Sequence, residues 1–161
     1  MFEFLVKGKF DCIELGQTQE WILNNFPDPE HIGKFNNGFE IWLYGKIEFH
    51  FYDKKLQMIF SDHFQNKNYG ENFHAGNDFE MNAWIFDNPK NLTLINTMTM
   101  LNEHCIDFKK VTTDYYIHLV LNSGVVLGFY DENGERKLTN YNDYLMQTFH
   151  YSLNDGIFSQ V

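Results

Sequence analysis

Apolar and polar residues alternate from Phe39 to Tyr52, and the alternation predicts two strands joined by a tight turn. Phe39, Ile41 and Leu43 are the apolar set of the first arm; Ile47, Phe49 and Phe51 are that of the second. A three-residue loop at Tyr44-Gly45-Lys46 pairs Leu43 with Ile47, Ile41 with Phe49 and Phe39 with Phe51, all on one face. A two-residue loop would set Leu43 against Glu48 and Ile41 against His50. A one-residue slip exchanges the faces of a strand, so the pattern favours the longer loop. The opposite face then carries Glu40, Trp42, Glu48 and His50.

The elements around this hairpin follow from the same reading. Phe2 to Val6 is expected to be a short strand. A helix is expected from Thr18 to Asn25, capped by Thr18 or Gln17, with Trp21, Ile22 and Phe26 as its apolar stripe. Pro27 and Pro29 stop it. Asp28 to Asn37 reads as a polar connection. After the hairpin come a turn at Asp53-Lys54-Lys55 and a third strand, Leu56 to Phe60. Residues 61–82 read as an irregular surface excursion, of the kind that carries function more often than scaffold. Ala83 to Phe86 is expected as a short strand. A second helix begins at Asn91 and runs to Asn102, with Leu94, Met98 and Leu101 on one face. Ile106 and Phe108 mark a short strand. Tyr115–Leu121 and Val125–Tyr130 form a second hairpin across Asn122-Ser123-Gly124. Glu132-Asn133-Gly134-Glu135 is a strong turn signal, since Asn-Gly accepts positive φ. Arg136 to Tyr141 is expected to be a further strand. The tail from Asn142 is apolar enough to dock, but its type is open.

The two halves resemble one another. Ile47, Phe49, Phe51, Tyr52 and Asp53 recur as Val125, Leu127, Phe129, Tyr130 and Asp131 at a constant offset of 78 residues (125 − 47 and 131 − 53). In the three-residue register the second hairpin pairs Leu121 with Val125, Leu119 with Leu127 and Ile117 with Phe129. The expectation is a single α+β domain over residues 1–161, an antiparallel sheet with helices on one face. It is built from a duplicated α-β-β-β unit with halves near 9–60 and 91–141.

Composition changes this picture little. Aromatics make up 18% of the chain, with 17 Phe and 9 Tyr, which favours strands. The net charge of −10 is the wrong sign for a duplex-binding protein and steers towards basic partners. Cys12 and Cys105 make neither a CxxC nor a zinc spacing, and free thiols in a reducing compartment are expected. The N-terminus has no signal-peptide run, and no stretch reaches the ~18 apolar residues of a membrane helix. The expectation is a cytosolic protein with no membrane or nucleic-acid partner.

No assembled reactive centre is legible. His63, His74, Asp62, Glu71 and Asp78 crowd the excursion, but they show no HxH, HExxH or HxxxH, and a solvated loop is the plainer reading. Glu48 and His50 share a strand face two residues apart. That spacing suits acid-base work but is more often the exposed side of a half-buried hairpin. His118 reads as structural, and His104-Cys105 diverge on a strand. No catalytic residue, metal or cofactor is expected. The remaining candidates are displayed carboxylates able to pair with a partner's Lys and Arg: Asp62, Glu71, Asp78 and Glu80 in the excursion, and Asp131, Glu132 and Glu135 around the Asn-Gly turn.

The N-terminal third carries a recurrent layout: Lys9-Phe10, Ile13-Glu14-Leu15-Gly16-Gln17-Thr18, Glu20 and Ile22, Phe26-Pro27-Asp28, Tyr44-Gly45-Lys46-Ile47-Glu48-Phe49-His50-Phe51, then Leu56 and Ile59. Residues 9–60 thereby resemble small bacterial immunity proteins of polymorphic or contact-dependent toxin systems. This chain has Phe26 where the usual pattern has glycine before the proline. The resemblance implies a protein that binds and blocks a cognate toxin, with a basic nuclease domain as the expected partner, without catalysis. The alternatives are a small metal-dependent hydrolase using the His63–Asp78 segment, or a non-enzymatic adaptor.

Overall fold

The first hairpin closes on two residues. In the computed structural model, which describes residues 1–66, 68, 70, 72–131, 142 and 144–153, β2 (Phe39–Tyr44) pairs with β3 (Ile47–Tyr52). Tyr44 lies opposite Ile47, Trp42 opposite Phe49 and Glu40 opposite Phe51. This overturns the three-residue register. Trp42 and Tyr44, at 2% and 1% exposure, face the core, and Ile41 and Leu43 face the other way. Two large aromatics bury more apolar area than two aliphatic chains, so they decide the face. The turn agrees: Gly45, at φ 57°, takes the first of two central positions, as a II′ turn allows.

The other strands are β1 (His31–Lys34), β4 (Lys55–Ser61), β5 (Phe108–Thr112), β6 (Ile117–Leu121), β7 (Val126–Phe129) and β8 (Met146–Ser152). Among the described residues these eight strands form one antiparallel sheet in the order β1-β2-β3-β4-β8-β7-β6-β5. The α+β architecture is as expected. The second hairpin keeps its predicted register, with Ile117 opposite Phe129 and Leu119 opposite Leu127. Two strands were not foreseen: β1 lies in the supposed polar connection, and β8 in the unassigned tail. Among the described residues, four strands (β1–β4) precede residue 62 and four (β5–β8) follow residue 107, where three per half were expected. Bulges fall at matching places, between His50 and Phe51 and between Gly128 and Phe129.

Among the described residues three α-helices accompany the sheet: α1 (Phe2–Lys7), α2 (Gln19–Asn25) and α3 (Leu94–Glu103). Residues 2–7 are thus helical rather than extended, ending at Gly8 in the left-handed region. Thr18 caps α2 by accepting from Trp21 N–H (3.2 Å), and Thr93, not Asn91, caps α3 by accepting from Asn96 N–H (3.3 Å). The expected strand at 83–86 is a short 3-10 turn, Trp84–Asp87. Arg136 to Tyr141 and the Asn-Gly turn lie outside the described residues.

Helices and excursion meet the sheet on one face. Phe4 of α1 packs on Phe149 and Tyr151; Phe26, just after α2, packs on Tyr44 and Phe49. The 61–82 segment is less superficial than expected. Phe64 and Phe73 are buried, stacked on each other at 4.9 Å, and both lie against Phe149. Phe64 and Phe73 are thus core residues carried on an irregular backbone.

Candidate functional site

The outward face of the sheet carries the polar chemistry. The strand register lines up Glu48, Phe60, His150, Val126 and Val120 across β3, β4, β8, β7 and β6. The next row brings Thr148, Gly128 and His118 together. None of the helix contacts described above reaches this face, because strand alternation points these side chains away from the core.

At one end of this face Glu48 joins two imidazoles. Its Oε2 lies 2.6 Å from His50 Nε2, and its Oε1 lies 3.1 Å from His63 Nε2. The other ring nitrogen of His63, Nδ1, is 3.1 Å from Asp62 Oδ1. β3 supplies Glu48 and His50 two residues apart, so both point the same way. The exit of β4 supplies Asp62 and His63, and Ser61, fully buried, holds the exit by accepting from His63 N–H at 3.4 Å. The side chains of Glu48, His50 and His63 keep only 16%, 12% and 15% of their accessible surface, whereas Asp62 keeps 47%. Burial alone would push the Glu48 carboxyl up. The hydrogen bonds and charges of His50 and His63 outweigh it and hold the group below its ordinary value.

Tyrosines border this cluster. Tyr116 packs on Tyr130 edge to face at 5.5 Å and stacks on His118 at 6.1 Å. Burial raises the Tyr130 phenol above its ordinary value, with added repulsion from Asp62 and Tyr116, so Asp62 and Tyr130 belong to one electrostatic neighbourhood. Burial, together with the charge of His150, lowers His118.

The carboxylates expected from the sequence do not form one group. Asp62 sits in the cluster. Asp131 follows Tyr130 and is half-buried. Asp78 and Glu80 are exposed, but they flank Phe79, whose ring packs on Phe10 and Phe26 on the helical side. Glu71, Glu132 and Glu135 lie outside the described residues. His74 is tied elsewhere: its carbonyl accepts from Lys46 N–H at the hairpin turn. From the sequence Glu48 and His50 read as the exposed side of a half-buried hairpin. Their i, i+2 spacing was the available signal; the partner that completes them, His63, is distant in sequence and reaches them through the β3–β4 register.

A second feature lies on the helical side. Lys46, at 1% exposure, lines a cavity of about 330 Å³ with Gln65, Asn72 and Asp87, and its Nζ donates to the Phe64 carbonyl at 3.5 Å. Burial lowers its ammonium below the ordinary value. It holds the hairpin tip to the excursion, as does Glu30, whose carboxylate accepts from Gly45 N–H and Asn77 N–H at 3.2 Å each.

No protein-family model matches the chain, and no curated protein matches it. Among solved structures, the chain is similar to the crystal structure of an extracellular protein containing an SCP domain from Bacillus anthracis. The identity is 10% and the TM-score 0.40, over 94% of this chain and 50% of that one. This chain spans half the length of that protein. Among the described residues no helix is long and apolar enough to cross a membrane.

Proposed function

We propose that this chain is a cytoplasmic, non-catalytic binding protein of the immunity type. It holds a cationic protein domain, such as a toxin nuclease, against the face of its sheet opposite the described helices and so blocks that domain's active site. The observation that carries this reading is the Glu48–Asp62 carboxylate group on that face, beside Tyr116 and Tyr130. Tyr116 is 41% exposed, and aromatic side chains next to acids suit a basic protein surface. The net charge of −10 speeds encounter with such a partner. We further read the two halves as copies of one helix-plus-four-strand unit. In support, β1, β2 and β3 stand about 78 residues before β5, β6 and β7, and the bulge at His50/Phe51 recurs at Gly128/Phe129.

The test is co-expression with the product of the neighbouring gene, followed by purification of the pair. The expected result is protection of growth and a one-to-one complex. Unprotected growth with no complex overturns the reading. A hydrolase using the His63–Asp78 segment has less to support it, since Asp62 joins the Glu48 cluster while Asp78 flanks Phe79 on the helical side.

A further inference from the structure

Two carboxylates and an imidazole converge where β3 passes the exit of β4. One ligand atom from each of Glu48, Asp62 and His63 lies within 4.8 Å of the other two. Carboxylate oxygens this close repel each other unless a positive charge stands between or beside them, and here two of the three side chains are mostly withdrawn from water. A divalent cation held among the three groups supplies that charge.

We propose that Glu48, Asp62 and His63 form a binding site for one divalent transition-metal ion, with His50 as the residue that orients Glu48. The donor set of one nitrogen and two carboxylates matches borderline to hard ions such as Zn²⁺ and Mn²⁺. Metal-ligand distances of about 2.0–2.2 Å place tetrahedral donors about 3.3 Å apart. The 3.1 Å between His63 Nε2 and Glu48 Oε1 is close to that spacing, and Asp62, which rests 3.1 Å from His63 Nδ1, turns about its half-exposed side chain to complete the set. His50 Nε2, donating to the other Glu48 oxygen at 2.6 Å, fixes the carboxylate as outer-shell partners do. Ser61 fixes the backbone that presents His63. The exposed side of Asp62 leaves the remaining coordination positions to water. The site differs from a loop-borne set of His63, His74 and Asp78, because β3 supplies half of it.

The test uses the full chain, free of any affinity tag and stripped with chelator, titrated with Zn²⁺ and separately with Mn²⁺ by calorimetry. One ion per chain is expected, with a rise in melting temperature. His63→Ala and Glu48→Gln should each weaken binding about 100-fold or more, and His50→Gln about 10–100-fold. Asp62→Asn alters a half-exposed side chain that the core does not use, so it separates ligand loss from misfolding. It should weaken binding at least tenfold at an unchanged melting temperature of the metal-free chain. His31→Ala should change nothing. Absence of saturable one-to-one binding by either ion overturns the proposal. So does binding that survives both Asp62→Asn and His63→Ala. Because the isolated chain is titrated, this outcome is independent of whether a protein partner is found.

Discussion

The β2–β3 and β6–β7 hairpins occupy matching places on either side of the central β4–β8 pair, yet their outward faces differ. Inward, both are oily: Phe49 and Phe51 in one, Leu127 and Phe129 in the other, all fully buried. Outward, 78 residues on from Glu48 and His50, stand Val126 and Gly128. A Cβ on Gly128 would lie 2.3 Å from Thr148 Oγ1, so this spot is closed by its neighbours where His50 reaches out to Glu48. Core packing dictates the inward positions of both hairpins. The outward positions diverge: those of the second hairpin, Val126 and Gly128, are closed by packing, whereas those of the first hold the Glu48–His50 pair.

The inward faces can be broken first. Phe49→Ala removes a ring packed on Phe10, Phe26 and Tyr44, and is expected to cost about 3–5 kcal/mol in urea unfolding. Leu127→Ala, its counterpart, should cost about 2–4 kcal/mol, which makes the two halves jointly necessary to one cooperative transition. The turns differ more sharply. A Cβ on Gly45 would lie 2.4 Å from His74 Nδ1 and 2.5 Å from the backbone nitrogen of Gly76, so Gly45→Ala should cost about 2–3 kcal/mol. Gly124 also has positive φ, but its nearest neighbour is the Tyr151 ring at 3.2 Å, and Gly124→Ala should cost only about 1 kcal/mol. Equal costs would mean that the excursion does not hold the first turn.

The titrations come next in size. His118 has a lowered folded value, so the unfolded state binds the proton more tightly. Its contribution is complete above the ordinary value of 6.5 and is lost as pH falls through the folded one. His118→Gln should flatten that part of the stability-against-pH curve. Glu48 also has a lowered value, with its contribution present above the ordinary 4.5 and lost at more acid pH. Glu48→Gln should flatten the acid limb and leave the limb due to His118 in place. A single substitution that flattened both would join the two ends of the face into one coupled network.

Much of the fold was legible because periodicity reports burial directly. The second hairpin was read in the correct register, since Ile117, Leu119 and Leu121 leave no rival apolar set on their strand. The first was misread because it carries two: Ile41 and Leu43 compete with Trp42 and Tyr44, and alternation alone does not weigh ring area against branched chains. β1 was missed because His31-Ile32-Gly33-Lys34 is an exposed edge strand held by backbone pairing to β2, which leaves almost no apolar signature. The site was hidden for a different reason. His63 lies 15 residues from Glu48, and only the strand register brings them to hydrogen-bond distance.

The most direct test of the working face compares two carboxylates of like exposure on opposite sides of the sheet. Binding of the proposed cationic partner domain is measured by titration calorimetry for Asp62→Lys and for Asp78→Lys. Asp62→Lys is expected to weaken binding about tenfold or more, with Asp78→Lys within about twofold of the parent chain. A strong loss at Asp78 with none at Asp62 would contradict the account and move the contact to the helical side.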